Sequence, residues 1–187
     1  MKRMLVLAFA AVPAFALAQQ EVYTIDPDHT IPAFEVKHFG MSTQRGLFTK
    51  ANGKVALDRT AKKGNADVRI DMTAVTTAVP KLADHLRSED FFDAAKYPTA
   101  IFKGSDFKFD GDKLVAVGGE LTLHGVTRPV TLSVAEFNCG NHPLTKKAMC
   151  GADLSATIKR SDFGVKAYVP AVGDDVKLSI SVEAYRD

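Results

Sequence analysis

The sequence predicts an all-β fold built on antiparallel strands, and three observations support this. Residues 117–134 form two arms of period-two alternation around His124-Gly125, the pattern of a hairpin with one apolar face. Further alternating segments follow one another along the chain. None of them alternates with helices, as a parallel sheet would require. So many consecutive strands usually form a barrel or a sandwich, and the pattern leaves both open.

The first eighteen residues stand apart from this pattern. Lys2 and Arg3 give a basic start, an apolar run covers residues 4–12, and Ala16-Leu17-Ala18 is a small-x-small ending. This arrangement predicts a secretory signal peptide over residues 1–18 and one domain over residues 19–187. A membrane anchor is the alternative, but the apolar run is too short to span a bilayer comfortably.

The charge balance argues against a nucleic-acid partner. The chain has 24 basic and 22 acidic side chains, and removal of Lys2 and Arg3 leaves 22 of each. Proteins that bind DNA or RNA normally carry a basic excess or a basic patch, and this sequence shows neither. We therefore expect no nucleic-acid partner.

The elements before the central hairpin follow from the same alternation. It predicts strands at residues 21–26, 30–39 and 67–72, and two short arms, 46–49 and 54–57, joined through Asn52-Gly53. Pro80 suits the first position of a helix, and Leu82, His85 and Leu86 share one helical stripe, which predicts a short helix over residues 80–88.

Extended chain resumes after this helix. Residues 100–109 alternate up to the turn at Asp110-Gly111-Asp112, and two further alternating segments, 152–160 and 176–182, follow the hairpin. Small inward residues such as Ala100, Gly119 and Ala156 leave volume inside a closed sheet. Such an interior either holds one small ligand or is filled by the helix and the twelve phenylalanines as ordinary core.

Cys139 and Cys150 are the two cysteines of the chain. In an exported protein they predict a disulfide that closes an exposed loop, with a stabilisation of roughly 3 kcal/mol. A metal site that includes His142 is the alternative, but the spacing of these residues is weak for zinc. We expect no metal site.

At this point the sequence resembles the YceI-like family along nearly all of residues 19–187. The matching segments, in order, are Tyr23 to Thr30 with Phe34, Val36 and His38, then Gly46-Leu47-Phe48, His85 to Asp93, Tyr97-Pro98, Gly119 to Val130, and Lys159 to Gly164. Pro32 departs from the family pattern, which usually has a β-branched residue there, and the segment from Cys139 to Cys150 is not general in the family.

The resemblance implies a lipocalin-like antiparallel β-barrel of about eight strands, with one short helix flanking or capping it. It also implies export to the periplasm and a long isoprenoid, quinone-like or similar amphiphilic lipid in the lumen. It implies no catalysis. True lipocalins usually have a tryptophan near the first strand, and this chain has none, so that relationship is architectural.

The residues at the inward-facing positions of the strands are the candidates for contact with such a ligand. The apolar candidates are Phe34, Val36, Val68, Ile70, Met72, Ala100, Phe102, Leu121, Leu132, Ile158, Leu178 and Ile180. His38 and Arg160 share parity with apolar neighbours and are candidates for the polar head group. The alternatives are a structural role for His38 and an ion pair between Arg160 and Asp162 or another carboxylate.

Two functional hypotheses follow. The first is a periplasmic carrier for a lipid, with no catalytic residues, no cofactor besides that ligand, and the possibility of a homodimer. The second is a stress-related protein or an enzyme whose cavity is incidental. Motifs for zinc proteases, serine hydrolases and phosphate loops do not occur, which favours the first hypothesis.

Overall fold

The structure, a computed structural model, describes residues 20–187, so the predicted signal peptide lies outside the described residues. Eleven strands and one α-helix form within this range. The helix α1 covers Pro80–Arg87, and 3₁₀ turns cover Met72–Ala74 and Arg160–Phe163. The strands are β1 (Glu21–Ile25), β2 (Ile31–His38), β3 (Ser42–Phe48), β4 (Ala51–Asp58), β5 (Lys63–Asp71), β6 (Val75–Thr76), β7 (Thr99–Asp110), β8 (Lys113–Leu123), β9 (Val126–Asn141), β10 (Ala148–Lys159) and β11 (Val172–Arg186).

The strands close into an eight-stranded antiparallel barrel, which resolves the choice between barrel and sandwich. We call each of the eight barrel positions a stave. Three staves are bent, and each of these consists of two strands: β1 with β2, β3 with β4, and β5 with β6. β11 is long enough to pair with both halves of the first stave, β2 at residues 172–181 and β1 at residues 184–186. The β1–β11 pairing leaves no free edge at this closure.

The central hairpin forms as the alternation predicts. Val117 pairs with Leu132 and Gly119 pairs with Val130, in the register of β8 against β9. His124 and Gly125 form the turn with φ values of 52° and 74°. Two positive φ values are the mark of the turn that best matches the twist of a hairpin.

The helix and four connections lie at one end of the barrel, which we call the capped end. This end contains residues 39–41, 77–98, 124–125 and 160–171. Leu86 and Ala83 are the buried residues of α1, and the Arg87 guanidinium donates a hydrogen bond to the Val75 carbonyl at 2.9 Å. No helix within residues 20–187 is long and apolar enough to cross a membrane.

One local prediction was wrong. Asn52-Gly53 is not a turn but lies inside β4, opposite Arg69 and Val68 of β5. Gly53 has φ +153°, and a Cβ there would collide with the Asp67 carbonyl oxygen, so the glycine permits close approach of two strands. The two arms do not form a hairpin: β3 and β4 are consecutive parts of one stave, which bends at residues 49–50.

The two cysteines form the predicted disulfide, and the segment that it closes, residues 140–149, is the mostly exposed end of the β9–β10 hairpin. Cys139 and Cys150 are direct partners across β9 and β10, with their Cα atoms 4.1 Å apart. Cys150 packs in a small cluster with Tyr23, Ile25 and Leu57, at the end of the barrel opposite the helix. We call this the disulfide end.

Candidate functional site

The barrel encloses an apolar cavity of about 250 Å³ that runs along its length. On β10 its lining extends from Cys150 to Ile158, which corresponds to about 26 Å of extended strand. Tyr23 and Leu57 line it at the disulfide end, and Leu86 lines it at the capped end. Almost all the surface that it presents is carbon. Among the described residues that line it, Arg160 alone carries a charge.

Three of the aromatic side chains that line the lumen form one cluster. The rings of Phe34, Phe48 and Phe92 pack together with centroids 5.5–5.9 Å apart. Elsewhere the lining includes small residues, among them Ala66 and Ala152, and leaves room beside them. The interior therefore contains an open volume rather than the filled core that the sequence also allowed.

The cavity brings together most of the residues nominated from the sequence. All twelve apolar candidates line it, as does Arg160; the twelve are Phe34, Val36, Val68, Ile70, Met72, Ala100, Phe102, Leu121, Leu132, Ile158, Leu178 and Ile180. The cavity does not reach His38, whose ring packs against Phe39 with centroids 4.1 Å apart. His38 is the last residue of β2, so the strand ends where its side chain would have to enter the lumen.

Arg160 lies at the capped end of the lumen and is buried, but it is not in an ion pair. Its guanidinium donates hydrogen bonds to four carbonyl oxygens, those of Val165, Ala167, Val172 and Gly173, at 2.8–3.1 Å. Four of its five N–H groups are thereby bonded to the connection between β10 and β11. Burial lowers the pKa of this guanidinium, although nearby Asp174 opposes the effect. The geometry therefore gives Arg160 the main role of fixing this connection.

The alternative of an ion pair with Asp162 does not describe the structure. The carboxylate beside Arg160 is that of Asp174, and it accepts hydrogen bonds from the Ser161 backbone N–H at 2.9 Å and from the Ser161 hydroxyl at 2.8 Å. Above Arg160, the Phe91 ring centroid lies 5.9 Å from the guanidinium carbon. The buried charge therefore lies between carbonyl oxygens and an aromatic face.

A polar group lies just outside the lumen, over Phe91. His85 Nε2 is 3.1 Å from Asp90 Oδ2, and the Tyr168 hydroxyl donates to the same oxygen at 3.0 Å. The hydrogen bond from His85, followed by that from Tyr168, lowers the pKa of Asp90. The His85 and Tyr168 rings both pack on Phe91, with centroids 5.0 and 5.9 Å away. Through these contacts His85 links α1 to the connection at residues 160–171.

A second polar group lies on the outside, at the bend between β1 and β2. Asp26, His29 and Glu183 each place one potential ligand atom within 4.8 Å of the others. His29 Nδ1 is hydrogen-bonded to Asp26 Oδ2 at 2.7 Å. That bond lowers the pKa of Asp26 and raises the pKa of His29. The pair stabilises the bend rather than facing the cavity.

The sequence pattern missed several lining residues at the capped end. Phe91, Phe92, Val165 and Val172 lie in turns or at the edge of a strand, where no alternation marks an inward face. Their apolar character in otherwise polar connections was the available signal. It shows that these connections cover a hydrophobic interior.

A family model described as the YceI-like domain matches residues 23–184, which is nearly all of the described chain. The chain belongs to the YceI-like family.

Relatives with known names or structures agree. The chain is 36% identical over 186 residues to Protein YceI of Escherichia coli O157:H7, an alignment that covers 97% of this chain and 96% of the relative. Among solved structures it resembles BcnA of Burkholderia cenocepacia, with a TM-score of 0.69, 27% identity, and coverage of 85% of this chain and 98% of the other. It also shares its fold with a polyisoprenoid binding domain from Saccharophagus degradans implicated in plant cell wall breakdown, with a TM-score of 0.66, 18% identity, and coverage of 88% and 98%.

Proposed function

We propose that this protein is a periplasmic carrier that holds the hydrocarbon chain of an isoprenoid, quinone-like or similar amphiphile in the barrel lumen. The observation that carries the proposal is the apolar cavity of about 250 Å³ that extends from one end of the barrel to the other. A polyisoprenoid chain has no hydrogen-bonding groups, and the surface of this lumen also has almost no hydrogen-bonding groups.

The energetics favour such a ligand. Transfer of hydrocarbon from water into an apolar environment is favourable by about 25 cal/mol per Å², or about 0.8 kcal/mol per methylene. A lumen of carbon atoms cannot orient a polar substrate, because it lacks converging donors and acceptors. The proposal is therefore one of binding rather than catalysis. The binding property named for the Saccharophagus degradans domain is consistent with it.

Periplasmic residence rests on other features. Residues 1–18 have the pattern of a cleaved signal peptide, and the Cys139–Cys150 disulfide suits an oxidising compartment. An amphiphile that moves between membranes through an aqueous compartment needs its hydrocarbon chain shielded from water, which is what a closed lumen provides.

A chain-length series tests this function. The delipidated protein is loaded with the fluorescent apolar dye 1-aminoanthracene, which geraniol, farnesol and geranylgeraniol then displace in turn. Affinity should rise with chain length, by up to about fourfold for each methylene buried, until the lumen is full. Failure of all three alcohols to displace the dye, or equal affinities for all three, would contradict the proposal.

A further inference from the structure

The capped end carries an exposed apolar surface on two loops that touch each other. We call it the tip patch and define it as Phe39, Met41, Tyr168 and Val169. The Phe39 N–H donates to the Ala171 carbonyl at 2.7 Å, which joins the β2–β3 turn to the β10–β11 connection. Met41 is 90% exposed, Phe39 59% and Tyr168 52%. Several exposed apolar residues on two touching loops mark a contact surface more often than single exposed apolar residues do.

The backbone holds two of these aromatic side chains at some cost. Phe39 has φ 53° and Tyr168 has φ 62°. Bulky residues rarely adopt this left-handed region, and when they do the conformation usually serves a purpose. Phe39 in particular gains little burial in return for this strain, because it is 59% exposed.

The charges around the tip patch are distinctive. Residues 38–42 and 164–171 contain no acidic side chain, and Lys166 is their one charged residue. The turns at the disulfide end are different: residues 59–62, 110–113 and 142–147 together carry five basic and two acidic side chains. A carboxylate does lie beside the patch, that of Asp90, which accepts a hydrogen bond from the Tyr168 hydroxyl at 3.0 Å. A surface of aromatic and aliphatic side chains with few charges among them matches the interface of a bilayer, where aromatic rings lie at the level of the head groups.

The tip patch is also continuous with the lumen. Val165 and Val172, from the same connection as Tyr168 and Val169, line the cavity. The Tyr168 ring stacks on Phe91, a lining residue, with centroids 5.9 Å apart and planes at 29°. A single layer of chain thus separates the exposed patch from the space proposed for the ligand.

From these observations we propose that the tip patch docks the protein on the surface of a phospholipid bilayer, with the capped end of the lumen facing the membrane. The inference rests on the proposed function, because a carrier of hydrocarbon chains must collect them from a membrane. Docking there would let the chain pass between bilayer and lumen without crossing water.

A matched pair of variants tests this. Met41→Glu puts a carboxylate in the patch, and Leu144→Glu puts one at the disulfide end, where Leu144 is 84% exposed. Both positions are too exposed to affect folding, which circular dichroism checks. Flotation with vesicles of phosphatidylethanolamine and phosphatidylglycerol should recover the wild type and Leu144→Glu, and recovery of Met41→Glu should fall about tenfold, since insertion of a methionine side chain is lost.

Several outcomes would overturn the inference. Wild-type protein that does not float at any vesicle concentration would do so, as would equal recovery of the two variants. A wild-type dimer that Met41→Glu converts to a monomer, with vesicle recovery unchanged, would assign the patch to a second copy of this chain instead.

Farnesol binding without vesicles separates this inference from the proposed function. Met41→Glu should bind farnesol as the wild type does, and a loss there would overturn docking as the role of Met41. If the wild type floats but does not bind farnesol, the proposed function fails while the docking surface remains.

Discussion

Filling the lumen from its own wall should weaken ligand binding without unfolding the barrel. Ala152 of β10 is opposite Val182 of β11 and Phe137 of β9, and all three line the cavity. The change Ala152→Phe directs a ring into the open volume. Because the lumen is apolar, burial of the ring there is favourable and does not oppose folding.

The expected magnitude follows from the area involved. A phenylalanine side chain buries about 150–250 Å², and it displaces a similar area of ligand. At about 25 cal/mol per Å² the loss has a ceiling of about 4–6 kcal/mol. A flexible chain can slide along a lumen of this length, and we expect it to recover about half of the loss. The remaining 2–3 kcal/mol corresponds to a rise of roughly 30- to 150-fold in the Kd for farnesol.

Dye displacement measures this Kd, and thermal unfolding confirms that the variant is folded. Ala135→Phe is the matched control, because Ala135 is an exposed residue of the neighbouring strand β9. Its affinity should equal that of the wild type. If Ala152→Phe folds and still binds farnesol as tightly as the wild type, the ligand does not occupy the lumen and the reasoning is refuted.

Three further predictions concern the elements that shape the site. Arg160→Met should lower the free energy of unfolding by at least about 3 kcal/mol, since it leaves buried carbonyl oxygens unpaired. Arg160→Lys should lower it by less. If urea unfolding shows a change below about 1 kcal/mol for the methionine variant, Arg160 does not fix this connection. Replacing both Cys139 and Cys150 by alanine should lower the free energy of unfolding by about 3 kcal/mol in the same assay. Unchanged stability would show that strand pairing alone stabilises the disulfide end. The Asp26–His29 pair should stabilise the fold between about pH 4 and about pH 6.5. Its contribution is lost above this window as His29, whose pKa is raised, loses its proton, and below it as Asp26, whose pKa is lowered, gains one. Asp26→Asn should lower the pKa of His29 in an NMR titration, and an unmoved titration would remove the pair as the cause.

The regular part of the barrel could be predicted because each strand has one face toward the lumen and one toward water. The twelve apolar candidates come from that alternation, and all twelve line the cavity. A hairpin such as β8–β9 is also local, so its turn residues and its register are visible together in a short stretch of sequence.

The features that the sequence did not predict depend on contacts between distant segments. Asn52-Gly53 has the composition of a turn, but the need for close approach to Asp67 on another strand decided its conformation. Arg160 shares parity with inward residues, but its partners are carbonyl oxygens up to 13 residues away, which no pattern of side chains reveals. The cysteine spacing showed that a disulfide could form, but not that its two residues are direct partners in adjacent strands.

The most direct measurement is native mass spectrometry of the protein purified without detergent from its own host. The account predicts a polypeptide that begins at Gln19 and carries one amphiphile with an isoprenoid chain, and loss of that lipid from Ala152→Phe. A wild-type protein that is always free of lipid, with a lumen that takes up no hydrocarbon when one is supplied, would contradict it.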